Sequence, residues 1–441
     1  MSQFQIAGAG LAGALLAVYL GRQGQQVDVY ERRGDMRTEP VERGRSINMA
    51  LSTRGLHALE EVGLREAILE RAIPMKGRMI HDREGGTQLQ RYSIHEHECI
   101  YSISRNGLNI ALLEAAAQFP GVRLHFHQKV SGVDLDRGTL LADGAPVDAP
   151  PGVVVGADGA HSVIRATLAR LDRFDYQQNY LDWGYKELTM PAGPGGSWAI
   201  EKHALHIWPR HDFMLIALPN LDGSFTCTLF LPFEGAGSFA DLSSDEAVLA
   251  FFRREFPDAV PLMPTLADDF RLNPLSSLIY VKCFPWHHRD KVVLVGDACH
   301  AVVPFYGQGM NAAFEDCSVL AGLLAGSSGL EHFEMFARYQ ADRKENADAL
   351  ADLALANFVE MRSKVARPGY VWRNRLEKAL QRFFPGQIMP LYSMVTFSRI
   401  PYAEAARRAA RQASWLNRLV AITAFLALVA VTMAIRRLLA P

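Results

Sequence analysis

Residues 3–33, QFQIAGAGLAGALLAVYLGRQGQQVDVYERR, decide the fold of this 441-residue chain. Their pattern predicts a strand, a glycine-rich turn, a helix and a second strand, with glycines at 8, 10 and 13. The first glycine makes the turn, the second admits a pyrophosphate, and the third lets helix and strand approach closely. Glu31 ends the second strand, where it can accept a hydrogen bond from an adenosine ribose. We therefore expect an α/β fold with a Rossmann-like dinucleotide site.

A second stretch, residues 293–316, VLVGDACHAVVPFYGQGMNAAFED, extends this site. The apolar run up to Val295 predicts a buried strand, and Asp297 follows at its carboxyl end, where open α/β sheets bind ligands. Gly307 and Gly309 allow the backbone to approach a ligand. The next helix would direct its positive N-terminal end to the same place. Taken alone, the stretch also fits an ordinary tight connection between strand and helix.

Three further segments, 44–59, 102–116 and 153–165, repeat this theme of a polar or glycine-containing loop that leads into a helix. The region between these motifs has the alternation of antiparallel strands, as in SFTCTLFL, residues 224–231. The chain then becomes helical, with few turn signals before RPGY at 367–370. The expected units are a dinucleotide-binding domain at 1–175 and 276–330, an antiparallel substrate domain at 176–275, and a helical region at 331–412 that closes the pocket.

Composition limits the possible partners. The net charge is −1 and the pI is about 6.9, so nothing suggests a nucleic acid ligand. The five cysteines form no CxxC pair, which argues against a disulfide framework or a zinc site and favours a reducing compartment. We expect no metal site, and composition does not indicate an oligomeric state.

The C-terminal end contains an apolar run. Residues 419–435, LVAITAFLALVAVTMAI, carry no charge and lie between Arg418 and Arg436. At ~1.5 Å per residue they cover about 26 Å, slightly less than a bilayer core of ~30 Å, and the arginines could extend to the interface. We expect a single transmembrane anchor at 416–437, with the catalytic domain in the cytoplasm. The alternative is a buried C-terminal core helix.

Together the motifs resemble the aromatic-hydroxylase class of flavoprotein monooxygenases, which share an N-terminal GxGxxG, a central DG and a later GD. Within that class, the resemblance is to the kynurenine 3-monooxygenase family. It covers nearly the whole chain, and the C-terminal run is similar to that of membrane-bound members. The stretches that carry it are ERRGD, GRSINMALSTRG, KGRMIH, ALHIWP, ALPNLDGSFTCTLFLPF, VPFYGQGMN, NFVEM and YSMVTFSR.

The resemblance implies an FAD-dependent enzyme that hydroxylates L-kynurenine to 3-hydroxykynurenine with NADPH and O2, through a C4a-hydroperoxyflavin. FAD would be non-covalent. NADPH would be a transient co-substrate, because the chain has one GxGxxG and no second nicotinamide fingerprint. The residues that would contact FAD are Gly8, Gly10, Leu11, Ala12, Gly13, Glu31, Arg32, Arg33, Ala50, Arg105, Asp158, Asp297, Gly309, Met310 and Asn311.

The same resemblance implies a substrate site. Its members would be Arg78, Tyr92, Asn357, Tyr392, Phe230, Pro304, Phe305 and Tyr306. Arg78, Tyr92, Asn357 and Tyr392 would meet the amino-acid carboxylate, and Pro304 and Phe305 would line the pocket above the flavin ring. Tyr306 stands where relatives carry Phe or His. The alternatives are a surface cation for the arginine and ordinary core packing for Tyr92 and Tyr392.

Two other functions fit parts of the sequence. A membrane-anchored flavin reductase or dehydrogenase acting on a lipid would share the dinucleotide domain and the apolar tail. Substrate-dependent oxygen uptake would distinguish it from a hydroxylase. A non-enzymatic flavin-binding sensor would show no steady NADPH turnover. The implied set of arginine, tyrosine and asparagine suits a carboxylate and not a lipid, so we favour the hydroxylase.

Overall fold

A computed structural model describes residues 3–39, 48–325, 332–363 and 388–438. The strands, in chain order, are β1 (Gln3–Ala7), β2 (Gln26–Tyr30), β3 (Asn48–Leu51), β4 (Ile73–Met75), β5 (Gly77–His81), β6 (Thr87–Arg91), β7 (Ile100–Ser104), β8 (Val122–His125), β9 (Val130–Asp134), β10 (Thr139–Ala142), β11 (Ala145–Pro146), β12 (Val153–Gly156), β13 (Asp175–Met190), β14 (Ala204–Arg210), β15 (Phe213–Pro219), β16 (Phe225–Pro232), β17 (Ser276–Phe284), β18 (His287–His288) and β19 (Val292–Leu294).

The α-helices are α1 (Leu11–Arg22), α2 (Thr53–Glu61), α3 (Arg65–Leu69), α4 (Arg105–Ala116), α5 (Val163–Leu168), α6 (Asp245–Glu255), α7 (Leu266–Leu272), α8 (Asp297–His300), α9 (Gly309–Ala325), α10 (His332–Ser363), α11 (Leu391–Thr396) and α12 (Tyr402–Leu438). Short 3-10 turns cover Pro194–Gly196, Phe239–Asp241, Val260–Leu262 and Pro304–Tyr306.

A six-stranded sheet forms the nucleotide-binding half, in the order β18-β19-β12-β1-β2-β8. All neighbours are parallel except β18 and β19. β12 and β19 are short apolar runs that are buried throughout, as expected for strands covered by helices on both faces. Helix α1 packs against α4 and α9. The α/β fold predicted from the glycine-rich turn is confirmed.

A seven-stranded sheet, in the order β17-β13-β16-β15-β14-β5-β6, forms the second half. Its pairs are antiparallel except β14 with β5. Alternation along β16 places Phe225, Cys227 and Leu229 in the core with α6 and α7. Phe230 lies on the opposite face, in a core with α10, α11 and α12. The sheet is therefore covered on both faces, whereas the sequence pattern suggested a half-buried strand.

Two smaller sheets complete the fold, in the orders β3-β7-β4 and β11-β10-β9. The seven-stranded sheet takes β5 and β6 from within 1–175 and β17 from within 276–330, so the proposed units share strands across their limits. In the proposed helical region at 331–412, α10, α11 and the start of α12 are described. Residues 331 and 364–387, with the RPGY turn, lie outside the described residues, as do 326–330 of the second nucleotide-binding segment.

The predicted transmembrane helix at 416–437 is wrong. Among the residues that the structure describes, no helix is both long enough and apolar enough to cross a membrane. The apolar run continues α12, which begins at Tyr402, and the first part of α12 carries ion pairs around Glu404. The run itself covers only about 26 Å of a hydrocarbon core of ~30 Å. The anchor at 416–437 is therefore not supported. The location inferred from it, a membrane with the catalytic domain in the cytoplasm, is not supported either.

Candidate FAD and substrate site

The glycine-rich turn after β1 has the geometry that its three glycines predict. Gly8 has φ +96°, a conformation that L side chains rarely adopt. A Cβ atom on Gly13 would lie 1.9 Å from the Gly8 carbonyl oxygen, so the start of α1 can approach β1 only without a side chain there. A Cβ on Gly10 would meet nothing within 4 Å. The turn therefore leaves open space beside Gly10, where a pyrophosphate would pass.

Glu31 lies beside this turn at the end of β2. Its Oε2 accepts a hydrogen bond from the Ala9 N–H at 3.0 Å, and its Oε1 accepts from the Arg33 backbone and Nε at 3.0 and 2.9 Å. Burial alone would raise the pKa of Glu31, but its bonds to Arg33 outweigh burial and lower the pKa. The carboxylate is thus held ionised as an acceptor. Arg32 and Arg33 are exposed.

Asp158 and Asp297 lie close to the same turn. A Cβ on Gly8 would contact the Asp158 Cα at 3.0 Å, and one on Gly296 would contact the Ala12 Cβ at 3.3 Å. Asp158 Oδ2 accepts from the Val163 N–H at 2.7 Å, while its buried Oδ1 makes no hydrogen bond. This oxygen is available to accept from a bound dinucleotide.

Asp297 starts α8 directly after β19. Asp297 is exposed to solvent, yet desolvation by the protein around it raises the pKa of its carboxyl, and the charge of Arg105 opposes that rise. Burial also raises the pKa of Asp158. The pyrophosphate of FAD requires an open path, which the turn provides beside Gly10. Its hydroxyls require acceptors, which Asp158 Oδ1 and the Asp297 carboxylate provide. Leu11 and Ala12 lie beside the turn at the start of α1, so the residues present fit FAD.

The start of α9 is tied to β3 by Asn311. Its side-chain amide donates to the Ala50 and Gly307 carbonyl oxygens at 2.8 and 2.9 Å, and its Oδ1 accepts from the Ser52 N–H at 2.9 Å. These bonds occupy the Asn311 side chain, so any contact with a flavin would come from the backbone around Gly309. Met310 is buried in the nucleotide-binding core.

Arg78, Tyr92, Tyr306 and Tyr392 form one group, here called the tyrosine–arginine cluster. Tyr392 stacks on Tyr92 with ring centroids 5.0 Å apart and on Tyr306 at 5.7 Å. The Arg78 guanidinium carbon lies 4.9 Å from the Tyr392 ring centroid and 5.8 Å from that of Tyr92. Arg78 is only 8% exposed, which excludes the surface-cation interpretation. The cluster therefore brings together four residues that are far apart in the sequence.

The two stacked phenols Tyr92 and Tyr392 stay protonated. Burial raises the pKa of Tyr92 well above its usual range, and the Tyr392 ring adds to this rise. Burial also raises the pKa of Tyr392, although the charge of Arg78 acts against it. Each hydroxyl can therefore donate a hydrogen bond near neutral pH. A guanidinium with two phenolic donors is suited to a carboxylate.

Phe230, Phe305 and Phe358 form a second group, the phenylalanine cluster. Phe305 stacks on Phe358 at 4.2 Å between centroids and lies 4.9 Å from Phe230. The Asn357 side chain donates to the Phe305 carbonyl oxygen at 2.7 Å, so the structure places it at this cluster. Pro304 is exposed at the start of the same turn. The turn Pro304–Tyr306 joins the two clusters and leads into α9.

A buried charged network that no sequence motif predicted lies behind the cofactor loops. Asp316 Oδ2 accepts from the Gly296 N–H at 3.1 Å and hydrogen-bonds to His300, while Oδ1 accepts from Arg343 at 2.7 Å. Burial alone would lower the pKa of His300, but Asp316 outweighs it and raises the pKa. In the described residues, Cys299, His300 and Asp316 also lie within metal-ligating distance of one another. Because both Asp316 carboxylate oxygens already accept hydrogen bonds, we interpret the group as a hydrogen-bonded network and not as a metal site.

Asn109 was also missed. Its side chain donates to the Ala9 carbonyl oxygen at 3.0 Å and so holds the glycine-rich turn from α4. The motif RNGLN, residues 105–109, contains it, but spacing alone does not show which polar residue of a helix faces a distant loop.

This fold and site define an FAD-binding protein of the α/β class, and a family model described as "FAD binding domain" matches residues 1–354. The chain belongs to the kynurenine 3-monooxygenase family. A relative of that name from Myxococcus xanthus is 50% identical over 90% of this chain and 86% of its own length. Another, from Dictyostelium discoideum, is 44% identical over 94% of this chain and 92% of its own. The predicted family and the predicted cofactor, FAD, are confirmed.

Two solved structures illustrate the similarity of fold. A 2-methyl-3-hydroxypyridine-5-carboxylic acid oxygenase is 20% identical, with a TM-score of 0.68 over 85% of this chain and 96% of its own. PqsL from P. aeruginosa, in complex with 2-aminobenzoylacetate, is 22% identical with a TM-score of 0.68, over 84% of this chain and 99% of its own. At this identity the likeness supports the fold alone.

Proposed function

We propose that the chain hydroxylates L-kynurenine to 3-hydroxykynurenine, with FAD as its cofactor and NADPH and O2 as co-substrates. When bound and reduced by NADPH, FAD would supply the electrons that activate O2 for transfer of one oxygen atom to the substrate. The aromatic amine of kynurenine directs oxygen to its own ortho carbon, so the protein needs little acid–base machinery. Its tasks are to bind, to orient and to exclude water.

The tyrosine–arginine cluster is the observation that carries this proposal. A zwitterionic amino acid can enter a largely apolar pocket only if its carboxylate is paired. Arg78 offers a planar fork of donors, and Tyr92 and Tyr392 keep hydroxyl protons beside it. A lipid substrate would gain nothing from this buried charge, so the lipid dehydrogenase is not favoured.

The phenylalanine cluster supplies the apolar side of the pocket. Phe230 and Phe305 present ring faces and edges beside the turn that leads into α9, and an aromatic substrate ring can pack against them. Asn357 holds that turn through the Phe305 carbonyl oxygen. We therefore assign Asn357 to orientation of the turn, with Pro304 and Tyr306 at its two ends.

In this proposal FAD binds in a cleft at the carboxyl ends of β1, β12 and β19. Glu31 accepts from the adenosine ribose, the space beside Gly10 holds the pyrophosphate, and Asp297 accepts from the ribityl chain. Asp158 Oδ1 is the further acceptor in this cleft. Arg32, Arg33 and Arg105 provide positive charge around its entrance.

Oxygen uptake and product mass test this function directly. With purified protein, FAD and NADPH, kynurenine should increase both NADPH oxidation and O2 consumption, and the product should gain 16 mass units, one oxygen atom. NADPH oxidation that passes electrons to an added acceptor, with no kynurenine-dependent oxygen uptake, would instead indicate the reductase. Arg91→Met, an exposed arginine on the neighbouring strand β6, is the matched control for Arg78→Met in this assay.

A further inference from the structure

Arg54 on α2 has a fully buried side chain that contacts three separate parts of the chain. Its Nη1 donates to the Val395 carbonyl oxygen at 2.5 Å, and its Nη2 donates to that of Ile400. Its Nε lies 3.2 Å from Glu315 Oε2 on α9. The guanidinium carbon lies 3.9 Å from the Tyr402 ring centroid at the start of α12.

Two of these contacts fix the segment that carries Tyr392. Helix α11 has only six residues, and so short a helix is not stable on its own in water. Arg54 bonds to a carbonyl near its C-terminal end, where a cation is favourable, and to a second carbonyl five residues later. The position of the Tyr392 ring against Tyr92 and Tyr306 therefore depends on Arg54.

The third contact connects the same guanidinium to the cofactor loops. Glu315 also pairs with Arg343 at 2.6 Å, and Arg343 pairs with Asp316, which accepts from the Gly296 N–H. Gly296 is the residue before Asp297. One continuous buried network thus extends from the backbone of the cofactor cleft to the wall of the tyrosine–arginine cluster.

We propose that Arg54 is a positioning residue for the hydroxylation: it holds the 391–400 segment, and with it Tyr392, against the substrate site. This rests on the proposed function of that site. If this segment loosens, water enters the site, so NADPH and O2 would be consumed to form hydrogen peroxide without hydroxylation of the substrate. Lysine cannot replace Arg54, because a single ammonium cannot bridge two carbonyls and stack on Tyr402 in one fixed geometry.

Arg54→Lys tests the proposal against a matched control. Arg210 is also buried, and it donates to the Glu255 carbonyl oxygen at 2.6 Å and the His81 carbonyl oxygen at 3.2 Å, but it does not contact the 391–400 segment. Arg54→Lys should raise the KM for kynurenine about tenfold, the effect of losing one charged hydrogen bond. It should also raise the hydrogen peroxide formed per NADPH, with kcat for NADPH oxidation per bound FAD retained. Arg210→Lys should change neither.

Hydrogen exchange gives a readout that does not depend on catalysis. In Arg54→Lys the backbone amides of residues 391–400 should exchange faster, while those of β1 and α1 keep the wild-type rates. Equal acceleration across the chain, or an unchanged KM and peroxide ratio, would overturn the proposal. If wild-type protein fails to hydroxylate kynurenine, the proposed function fails while the exchange result still tests the contact.

A milder variant covers the case in which Arg54→Lys does not fold. Tyr402→Leu removes the ring beneath the guanidinium, together with the hydrogen bond that the Tyr402 hydroxyl donates to Gln308 at 3.1 Å, and leaves both carbonyl bonds available. It should produce the same changes in exchange, KM and peroxide ratio, each smaller than for the arginine variant. Tyr402→Leu protein with wild-type values in all three measurements would contradict the proposal.

Discussion

At the scale of single residues, Arg78 is the group whose removal should separate substrate binding from cofactor binding. Arg78→Met keeps an unbranched apolar stem and removes the guanidinium that lies against the Tyr92 and Tyr392 rings. Kynurenine affinity should fall by roughly 2–5 kcal/mol, the usual range for breaking a buried charged pair. Titration of the bound flavin's absorbance with kynurenine measures the change, and FAD content should match wild type.

A kynurenine analogue without its carboxylate gives the control for this prediction. If Arg78 pairs with that carboxylate, wild type and Arg78→Met should bind the analogue about equally, and the double-mutant cycle should show coupling. The assignment is wrong if Arg78→Met weakens both ligands to the same degree or causes the protein to lose its flavin.

Asp297 gives the complementary residue-scale prediction, on the cofactor. Asp297→Ala removes a carboxylate that would accept from an FAD hydroxyl, a charge-assisted hydrogen bond worth roughly 1.5–3 kcal/mol. FAD should bind roughly ten- to 150-fold more weakly, measured by fluorescence titration of the apoprotein. Asp290→Ala, at the opposite end of β19, is the control and should bind FAD like wild type. Equal affinities in the two variants would remove Asp297 from the cofactor site.

The cofactor residues that the motifs predicted share one property: their roles depend on neighbours close in the chain. The three glycines, Glu31 and Asp297 sit at fixed distances from a strand end, so local spacing predicts where they lie. Arg54 appears in the quoted motif GRSINMALSTRG, but its carbonyl partners are 341 and 346 residues away. No local pattern contains that distance, so its role became visible only in the folded chain.

At the scale of elements, the parallel pair β5 and β14 carries a buried chain of polar contacts on the face away from Arg78. His81 lies 2.7 Å from Asp258 and 2.8 Å from His206, and the second nitrogen of His206 lies 2.8 Å from the Glu201 carbonyl oxygen. Each of the three contacts needs one proton. Both ring nitrogens of His206 are therefore occupied by buried partners.

Burial lowers the pKa of His206 to about 4, so a second proton on this ring is disfavoured in the folded chain. The unfolded chain binds that proton near the ordinary value of 6.5, so the stabilising contribution is complete above pH 6.5 and is lost as pH falls toward 4. Urea unfolding at a series of pH values should show a loss of up to about 3 kcal/mol over this range. His206→Gln should flatten the dependence of stability on pH. His203→Gln, one residue before the start of β14, should not. An unchanged slope in His206→Gln would exclude this source.

The type of each element was predicted more reliably than the elements it packs against. The alternating residues of β16 indicated a strand, but β5 and β6 join the same sheet from far earlier in the chain. The apolar run at 419–435 has the composition of an anchor, yet it continues α12 from Tyr402. In both cases the local sequence pattern indicated the type of element, while tertiary packing determined which elements it contacts.

At the scale of the whole molecule, the cofactor cleft draws on parts of the chain that are far apart. Glu31, Asp158 and Asp297 come from three strand ends of one sheet, and α9 continues from the cleft to the network around Asp316. A ligand held at all of these places favours the folded state over any state in which they separate. The fold should therefore be markedly more stable with FAD than without it.

Thermal unfolding of apoprotein and FAD-loaded protein tests this linkage. Free FAD at 100 times its dissociation constant should add about 2.7 kcal/mol, provided that the unfolded chain does not bind it. For a chain of 441 residues, the melting temperature should rise by roughly 3 °C and keep rising with FAD concentration. Asp297→Ala should reach the same stabilisation only at higher FAD, while Arg78→Met should follow wild type, because it belongs to the substrate side. A melting temperature independent of FAD would show that FAD does not prefer the folded state, and an equal FAD dependence in Asp297→Ala and wild type would show that Asp297 is not part of the cofactor site.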